Sequence, residues 1–378
     1  MINLPAIDQF LTTPVSLSAV ELLTIEVPQK EVFVSAIGER KSRQALMVKW
    51  VDREGAVGYG ECSCRPDPFY SHEFVAGAVR VIKEYIFPLV KNAATYGAVL
   101  TAMARVRGWY FTKAAVEFAL NDMLRRKTGY GMLEHSGVRP LTRVPVGISM
   151  GLFTSADELA AKLAEIAPLN YQRLKFKISP GYDDQEIIRQ LGQIAHPYLT
   201  FDANGSFTPE AFPLLARFAA LGHSIEQPFP PGDIYLKEEY RQEYPGFPVC
   251  LDEDIVSYGN LVSLRAHMQE VNIKPGRVGG LHTTLRMLAF CHQHKLPAWI
   301  GGMFETGVGR AQNLQIAALI HGAKAHDLSP SGRYFTRDVL TAPITMQEGY
   351  IAAADFNRVT VDEEALASMT TEHIILRK

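Results

Sequence analysis

Between residues 143 and 345 short apolar runs recur at nearly even spacing, and five of them carry charge near their C-terminal ends. The runs are VPVGIS (144–149), RLKFKI (173–178), YLTFDA (198–203), HSIEQP (223–228), PVCLDE (248–253), EVNIKP (270–275), PAWIGG (297–302) and AHDLSP (325–330). Segments of helical periodicity separate them. SADELAAKLAEIA opens on the capping pattern Ser155-x-x-Glu158, and TPEAFPLLARFAAL puts Pro209 at a first helical position, where no N–H is needed. Eight strands alternating with helices predict a parallel barrel of the (β/α)8 type.

The barrel does not exhaust the chain. Of 378 residues, 141–345 belong to it, and 1–140 read as a separate α+β unit that 346–378 return to complete. VELLTIEV (20–27), QALMVKWV (44–51) and VGYGEC (57–62) are turn-bounded strands. Helical spacing follows in residues 71–90 and 112–129, the latter stopping at Gly129 after a basic last turn. With a net charge of −2 and scattered basic residues, the chain lacks the surplus that nucleic acid or an anionic membrane surface demands. Cys62, Cys64, Cys250 and Cys291 have neither zinc spacing nor the density of a disulfide framework, and are expected as free thiols. The N-terminus lacks a secretory pattern and no apolar run is long enough to span a bilayer, so a cytoplasmic location is expected.

The charges at the strand ends carry the chemistry. From Lys177 to Asp202, Glu226, Asp252 and Lys274 the steps are 25, 24, 26 and 22 residues, each the length of one βα unit. Barrel active sites sit at that rim. One such acid is most often a cap or an ion-pair partner; three from consecutive strands would converge and repel unless a divalent cation joined them. All-oxygen donors favour Mg²⁺, with Mn²⁺ as a substitute, over Zn²⁺. Lys175 and Lys177, two apart on a strand, share a face. Two ammonium groups so close repel, and one that gives up its proton serves as a general base. Lys274 follows from across the barrel. A base, an opposed lysine and one cation suit proton abstraction beside a carboxylate, so a small carboxylate is the expected substrate.

These motifs resemble the enolase superfamily, in its branch with two barrel lysines, and most closely the o-succinylbenzoate synthase / N-succinylamino acid racemase group. The resemblance rests on LKFKISPG (174–181), FDANGSFT (201–208), IEQPF (225–229), CLDEDI (250–255), NIKPGRVGG (272–280), GGMFETGVGR (301–310) and SPSGRYFTRDV (329–339), with GYGECSCRPDPFYSHEF (58–74) in the first unit. It implies a modified TIM barrel, (β/α)7β, under an α+β capping domain. It implies metal ligands Asp202, Glu226 and Asp252, Lys177 as base, Lys274 opposite, and Lys175 tuning Lys177. Asn204, Glu253 and Arg277 would support them, Arg277 easing proton loss from Lys274. Ser149, Met303, Glu305, Ser329 and Ser331 are candidate substrate contacts, and loops near 33–40 and 62–72 would cover the substrate. Asp254 stands where relatives often have serine, and is read as peripheral to the metal.

The activity implied is Mg²⁺-dependent dehydration of 2-succinyl-6-hydroxy-2,4-cyclohexadiene-1-carboxylate to 2-succinylbenzoate, a step of menaquinone biosynthesis. The alternative within the group is racemisation of N-succinylamino acids, alone or alongside, with dipeptide epimerisation behind it. A homo-oligomer is compatible with either. From a different class, Gly307-Val308-Gly309 suggests a dinucleotide fingerprint with Asp327 downstream, but Gln312 replaces its third glycine. A noncatalytic binder on the same barrel is a further alternative. His292 and His294 read as an exposed helix end.

Overall fold

The computed structural model describes residues 1–35, 38–182, 184–221 and 224–378, and of residues 31–40 no side chain. The N-terminal unit is built on a four-stranded antiparallel sheet. β1 (Ala19–Ser35) and β2 (Gly38–Val51) form a long hairpin, β3 (Val57–Cys62) lies beside β2, and a C-terminal strand closes the other edge. Of the run near 33–40, expected as a loop, residues 33–35 and 38–40 pair with each other in these strands; residues 36 and 37, and the side chains of 31–40, lie outside the described residues.

Helix α1 (Tyr110–Thr128) crosses β3 with its backbone nearly touching the strand. A Cβ on Gly58 would sit 2.0 Å from Met123 N, and one on Gly60 2.0 Å from Ala115 O, so only glycine permits this approach. α1 ends at Gly129 with φ +81°, the left-handed stop its sequence predicts. The predicted helix over 71–90 begins only at Val75 and is interrupted by a π-helical turn at Ile82–Ile86.

The barrel strands are β5 (Gly147–Met150), β6 (Arg173–Lys177), β7 (Leu199–Asp202), β8 (Ile225–Glu226), β9 (Val249–Leu251), β10 (Glu270–Ile273) and β11 (Ala298–Ile300), parallel and adjacent in that order. A helix follows each. Among them α2 (Ala156–Ile166) starts at Ser155, whose side chain accepts from Glu158 N at 3.2 Å, while Glu158 reaches back to Thr154 rather than Ser155. Pro209 opens a 3₁₀ turn at Pro209–Ala211, and the α-helix begins only at Phe212.

The first predicted run, 144–149, is divided. β4 (Arg143–Pro145) pairs antiparallel with β12 (Tyr350–Ala352) from the tail, and only β5 enters the barrel. β13 (Thr370–Arg377) then carries the tail to β1, pairing Arg377 with Ala19. The eighth run shrinks to single bridges, yet it closes the cylinder. His326 N donates to Pro145 O (3.0 Å), its carbonyl accepts from Gly147 N (2.8 Å), and Asp327 N donates to Ile300 O (3.0 Å). The architecture is therefore a (β/α)7β barrel under an α+β cap.

Candidate active site

Register brings the strand-end charges together. Lys177 pairs with Asp202, Asp202 with Glu226, and Glu226 with Cys250, so Asp252 follows two residues later on the same face. Lys274 stands just beyond β10, opposite β6. The backbone turns sharply between these groups: Asn204 and Gln227 hold φ of +44° and +40°, in the left-handed region that non-glycine residues seldom occupy.

Each carboxylate faces a cation. Lys175 donates to Glu226 Oε2 at 2.7 Å and lies 3.5 Å from Asp202 Oδ2; Lys177 lies 3.4 Å from the same oxygen and donates to Asn204 Oδ1. Asn204 passes the link on, its amide donating to Glu253 Oε1 at 3.0 Å. Asp252 holds Lys274 at 2.9 Å through Oδ2 and Arg277 at 2.7 Å through Oδ1. From the cap, the Tyr70 hydroxyl meets Lys274 at 3.1 Å and Arg277 at 2.9 Å. This places Tyr70, from the 62–72 segment, at the barrel rim beside Lys274 and Arg277.

These contacts set the proton affinities. Burial pushes Glu226 up to about 8, with Asp202, Asp252 and Asp327 adding to it against the pull of Lys175. Burial, with Asp252 beside it, raises Glu253 to about 7. For Asp252 burial acts in the same sense, but Arg277 and Lys274 outweigh it and hold the carboxyl below its usual range. Two expectations need correction. Lys175 is not eased toward neutrality, because Asp327, Glu226 and Asp202 overcome burial and raise it well above an ordinary lysine. Lys274 is likewise raised: burial and Arg277 lower it, but Asp252, Tyr70 and Glu253 together outweigh them.

The donor set fits a hard divalent cation: three carboxylates, no thiolate or imidazole among them, and one of them, Glu226, crowded by its acidic neighbours. Among the described residues no three acidic, His or Cys side chains are already gathered into a cage. Asp252 and Glu226 instead turn toward Arg277, Lys274, Lys175 and Asn272, the last donating to Glu226 Oε1 at 2.8 Å.

The candidate substrate contacts separate into two groups. Ser149 and Met303 are half-buried at strand ends. Glu305, Ser329 and Ser331 are buried and committed internally, contrary to expectation. Glu305 pairs with Arg310 at 2.9 Å, the Ser329 hydroxyl donates to Gly147 O at 2.9 Å, and Ser331 donates to Asp338. The dinucleotide reading also fails on geometry. Gly307 N donates to both Asp338 oxygens at 2.9 Å and Gly309 N to Glu61 at 3.2 Å, so carboxylates of the chain itself fill the place of a pyrophosphate. Asp254 points away from the rim, paired with the buried Lys237 at 2.9 Å. The four cysteines are free and buried.

Sequence reasoning missed Arg173, Asp327, Tyr70, Asn272 and Gln227. Arg173 was signalled by period alone, two residues before Lys175 on the same face. Asp327 lies in the eighth apolar run and was signalled by position. Gln227 left no signal: its amide oxygen accepts from Asp252 N (3.1 Å) and Asp254 N (3.2 Å), a role that depends on its left-handed backbone.

Known proteins resemble this chain over most of its length. The family model described as enolase C-terminal domain-like matches residues 156–358. An o-succinylbenzoate synthase of Enterococcus faecalis is 32% identical over 343 residues, 88% of this chain and 92% of that protein. An N-succinylamino acid racemase of Amycolatopsis sp. is 34% identical over 343 residues, 89% of this chain and 92% of that one. Among solved structures, an enolase superfamily member from Enterococcus faecalis superposes with a TM-score of 0.89 at 30% identity, covering 96% of this chain and all (100%) of that chain.

Proposed function

The chain belongs to the enolase superfamily, and from that premise we propose that it is an o-succinylbenzoate synthase, dehydrating 2-succinyl-6-hydroxy-2,4-cyclohexadiene-1-carboxylate to 2-succinylbenzoate in menaquinone biosynthesis. The observation that carries this reading is the unequal treatment of the two lysines. Lys177 stands at the open rim, its side chain 40% exposed, while Lys274 is only 13% exposed and tied to the cap through the Tyr70 hydroxyl at 3.1 Å. One base and one fixed cation are what a syn elimination needs.

Asp202, Glu226 and Asp252 would hold Mg²⁺, or Mn²⁺ in its place, and the bound ion supplies Lewis-acid stabilisation of the negative charge that develops on the substrate carboxylate. Lys177 Nζ takes the proton from the carbon beside that carboxylate. The C–H electron pair then forms the ring double bond as the C–O bond to the hydroxyl breaks, and Lys177 returns its proton to the departing oxygen, releasing water. Lys274 stays charged, and Tyr70 and Arg277 keep it aimed into the site. The cap excludes bulk water. Residues 1–140 form this cap with the end of the tail, whose strand β13 pairs with β1, while Tyr350–Ala352 stays with β4. The enzyme works in the cytoplasm. No described helix is long and apolar enough to cross a membrane.

Racemisation of N-succinylamino acids is the second reading, favoured by the placement of two lysines on opposite sides of one carboxylate cluster. It requires Lys274 to cycle through its neutral form, against the hold of Asp252. Dehydration and solvent-deuterium exchange into both enantiomers of an N-succinylamino acid, assayed side by side with Mg²⁺, test both readings. We expect metal-dependent dehydration. Exchange into both enantiomers without dehydration would replace the synthase by the racemase.

A further inference from the structure

Three cations stand in line on one face of β6, running from the barrel interior to the rim: Arg173, Lys175 and Lys177. Their exposure rises in that order, with side chains 0%, 5% and 40% accessible. The innermost is immobilised. Its guanidinium lies 3.8 Å from the centroid of the buried Trp299 ring, and the ammonium of Lys175 lies 5.4 Å from the same centroid. Between these two cations stands a carboxylate from the closing segment of the barrel. Asp327 contacts Arg173 through Oδ1 and Lys175 through Oδ2, the latter at 2.5 Å.

Lys175 is thus held from both flanks. Asp202 and Glu226 reach it from β7 and β8, and Asp327 reaches it from the segment wedged between β11 and β5. A lysine side chain has four rotatable bonds, so an ammonium drawn from one flank alone would follow Glu226 toward the rim. Among the described residues, the hydrogen-bond and ion-pair partners of Lys177, two residues on, are Asp202 and Asn204, both on the β7 side. Its spacing from the other groups therefore depends on how β6 and Lys175 are fixed beneath it.

We propose that Asp327 is a positioning residue for the reaction: it anchors the Lys175 ammonium to the stacked Arg173, and so fixes the ground on which Lys177 and Glu226 are arranged. The inference rests on the lysine-base reading above. The competing explanation is that Asp327 only neutralises a buried guanidinium. Pairing variants separates the two. Asp327→Asn leaves Arg173 buried without its counter-ion and is expected to lower stability as well as turnover. The double variant Arg173→Met/Asp327→Asn removes cation and anion together. Asp327→Glu keeps the charge but moves it by one methylene.

For the double variant and for Asp327→Glu we expect folded protein whose kcat falls about 10- to 100-fold, the usual effect of removing a group that orients a ligand's neighbour, with KM little changed. In crystals of either variant, Lys175 Nζ should leave its position between Glu226 and residue 327. Wild-type kcat in the double variant, or in Asp327→Glu, would overturn the proposal, and so would an unmoved Lys175. If the wild-type enzyme shows neither dehydration nor α-proton exchange, the lysine-base reading fails, and the crystallographic position of Lys175 still decides the part played by Asp327.

Discussion

Two sets of buried carboxylates hold this molecule's charge, and they are neutralised by different means. At the barrel rim Asp202, Glu226, Asp252 and Asp327 face lysine and arginine side chains. In the cap, Glu61 and Glu117 face the backbone at the start of barrel helices. Glu61 accepts from Thr306 N at 3.0 Å, Thr306 Oγ1 at 2.7 Å and Gly309 N at 3.2 Å. Glu117 accepts from His282 N at 2.8 Å and from the Tyr96 hydroxyl at 3.1 Å. Gly280 makes room for it, with φ +112° and no Cβ to meet Glu117. Side-chain cations can exchange partners and protons, so the rim can do chemistry. Backbone N–H groups at a helix start are fixed dipoles, so the cap's carboxylates dock one unit on the other.

If that division holds, a change at the exposed end of the rim, at Lys177, removes activity and spares the fold. Lys177→Ala should lower kcat by about 10²- to 10⁴-fold, the range for loss of a general base. Its thermal unfolding should match the wild type, because the side chain is 40% exposed and its polar partners among the described residues are Asp202 and Asn204. A steady-state assay at saturating Mg²⁺ beside a melting curve checks both halves; near-normal turnover would remove Lys177 from the mechanism.

A change just past the rim tests where the chemistry stops. Asp254 is two residues past Asp252 but pairs with Lys237, both side chains almost wholly buried (1% and 4% exposed). It also accepts from Gly232 N and the Gln227 amide, each at 2.7 Å. Asp254→Ser should cost about 3–5 kcal/mol by leaving Lys237 buried and unpaired. Adding Lys237→Met should recover most of that loss. Denaturant unfolding measures the stability. If turnover of the double variant falls as far as in Lys177→Ala, then Asp254 belongs to the reactive cluster.

The same contrast explains what could be read from the sequence. The rim was legible because its partners are side chains, and because a parallel barrel repeats each strand end after about one βα unit. Asp202, Glu226 and Asp252 declare themselves by their intervals from Lys177, and Lys274 continues the same series one strand further on. The cap's carboxylates were not legible. Glu61 finds Thr306 across 245 positions and Glu117 finds His282 across 165, and backbone N–H groups have no letter in the sequence. The eighth strand's reduction to two bridging residues was hidden for a similar reason. An apolar run fixes which face is buried, whereas the extent of pairing depends on neighbours that the run does not name. Glu305, Ser329 and Ser331 fall at strand ends as substrate contacts would, yet Arg310, Gly147 and Asp338 claim them.

The smallest effect concerns pH, and it sets the two descriptions of Glu61 against each other. Burial pushes its carboxyl up to about 7 from 4.5, helped by Glu305 and opposed by Arg43 and Thr306. The helix start, with its aligned N–H groups, instead favours the ionised form. A carboxyl whose affinity is raised on folding binds more protons folded than unfolded between those two values. Its contribution to stability is then fully present below about 4.5, declines as pH rises through about 7, and is constant above. Glu117, pushed by burial up to about 7, follows the same sign, so the total curve cannot isolate Glu61. The difference between wild type and Glu61→Gln can. That variant keeps the shape and removes the titration. Wild-type stability minus Glu61→Gln stability, measured by denaturant unfolding, should fall across this window and level off beyond it. A difference that is flat, or that rises with pH, would mean that the helix start holds Glu61 ionised throughout. The cap would then be docked by a full charge on a dipole, and the contrast with the rim would narrow to the identity of the cation.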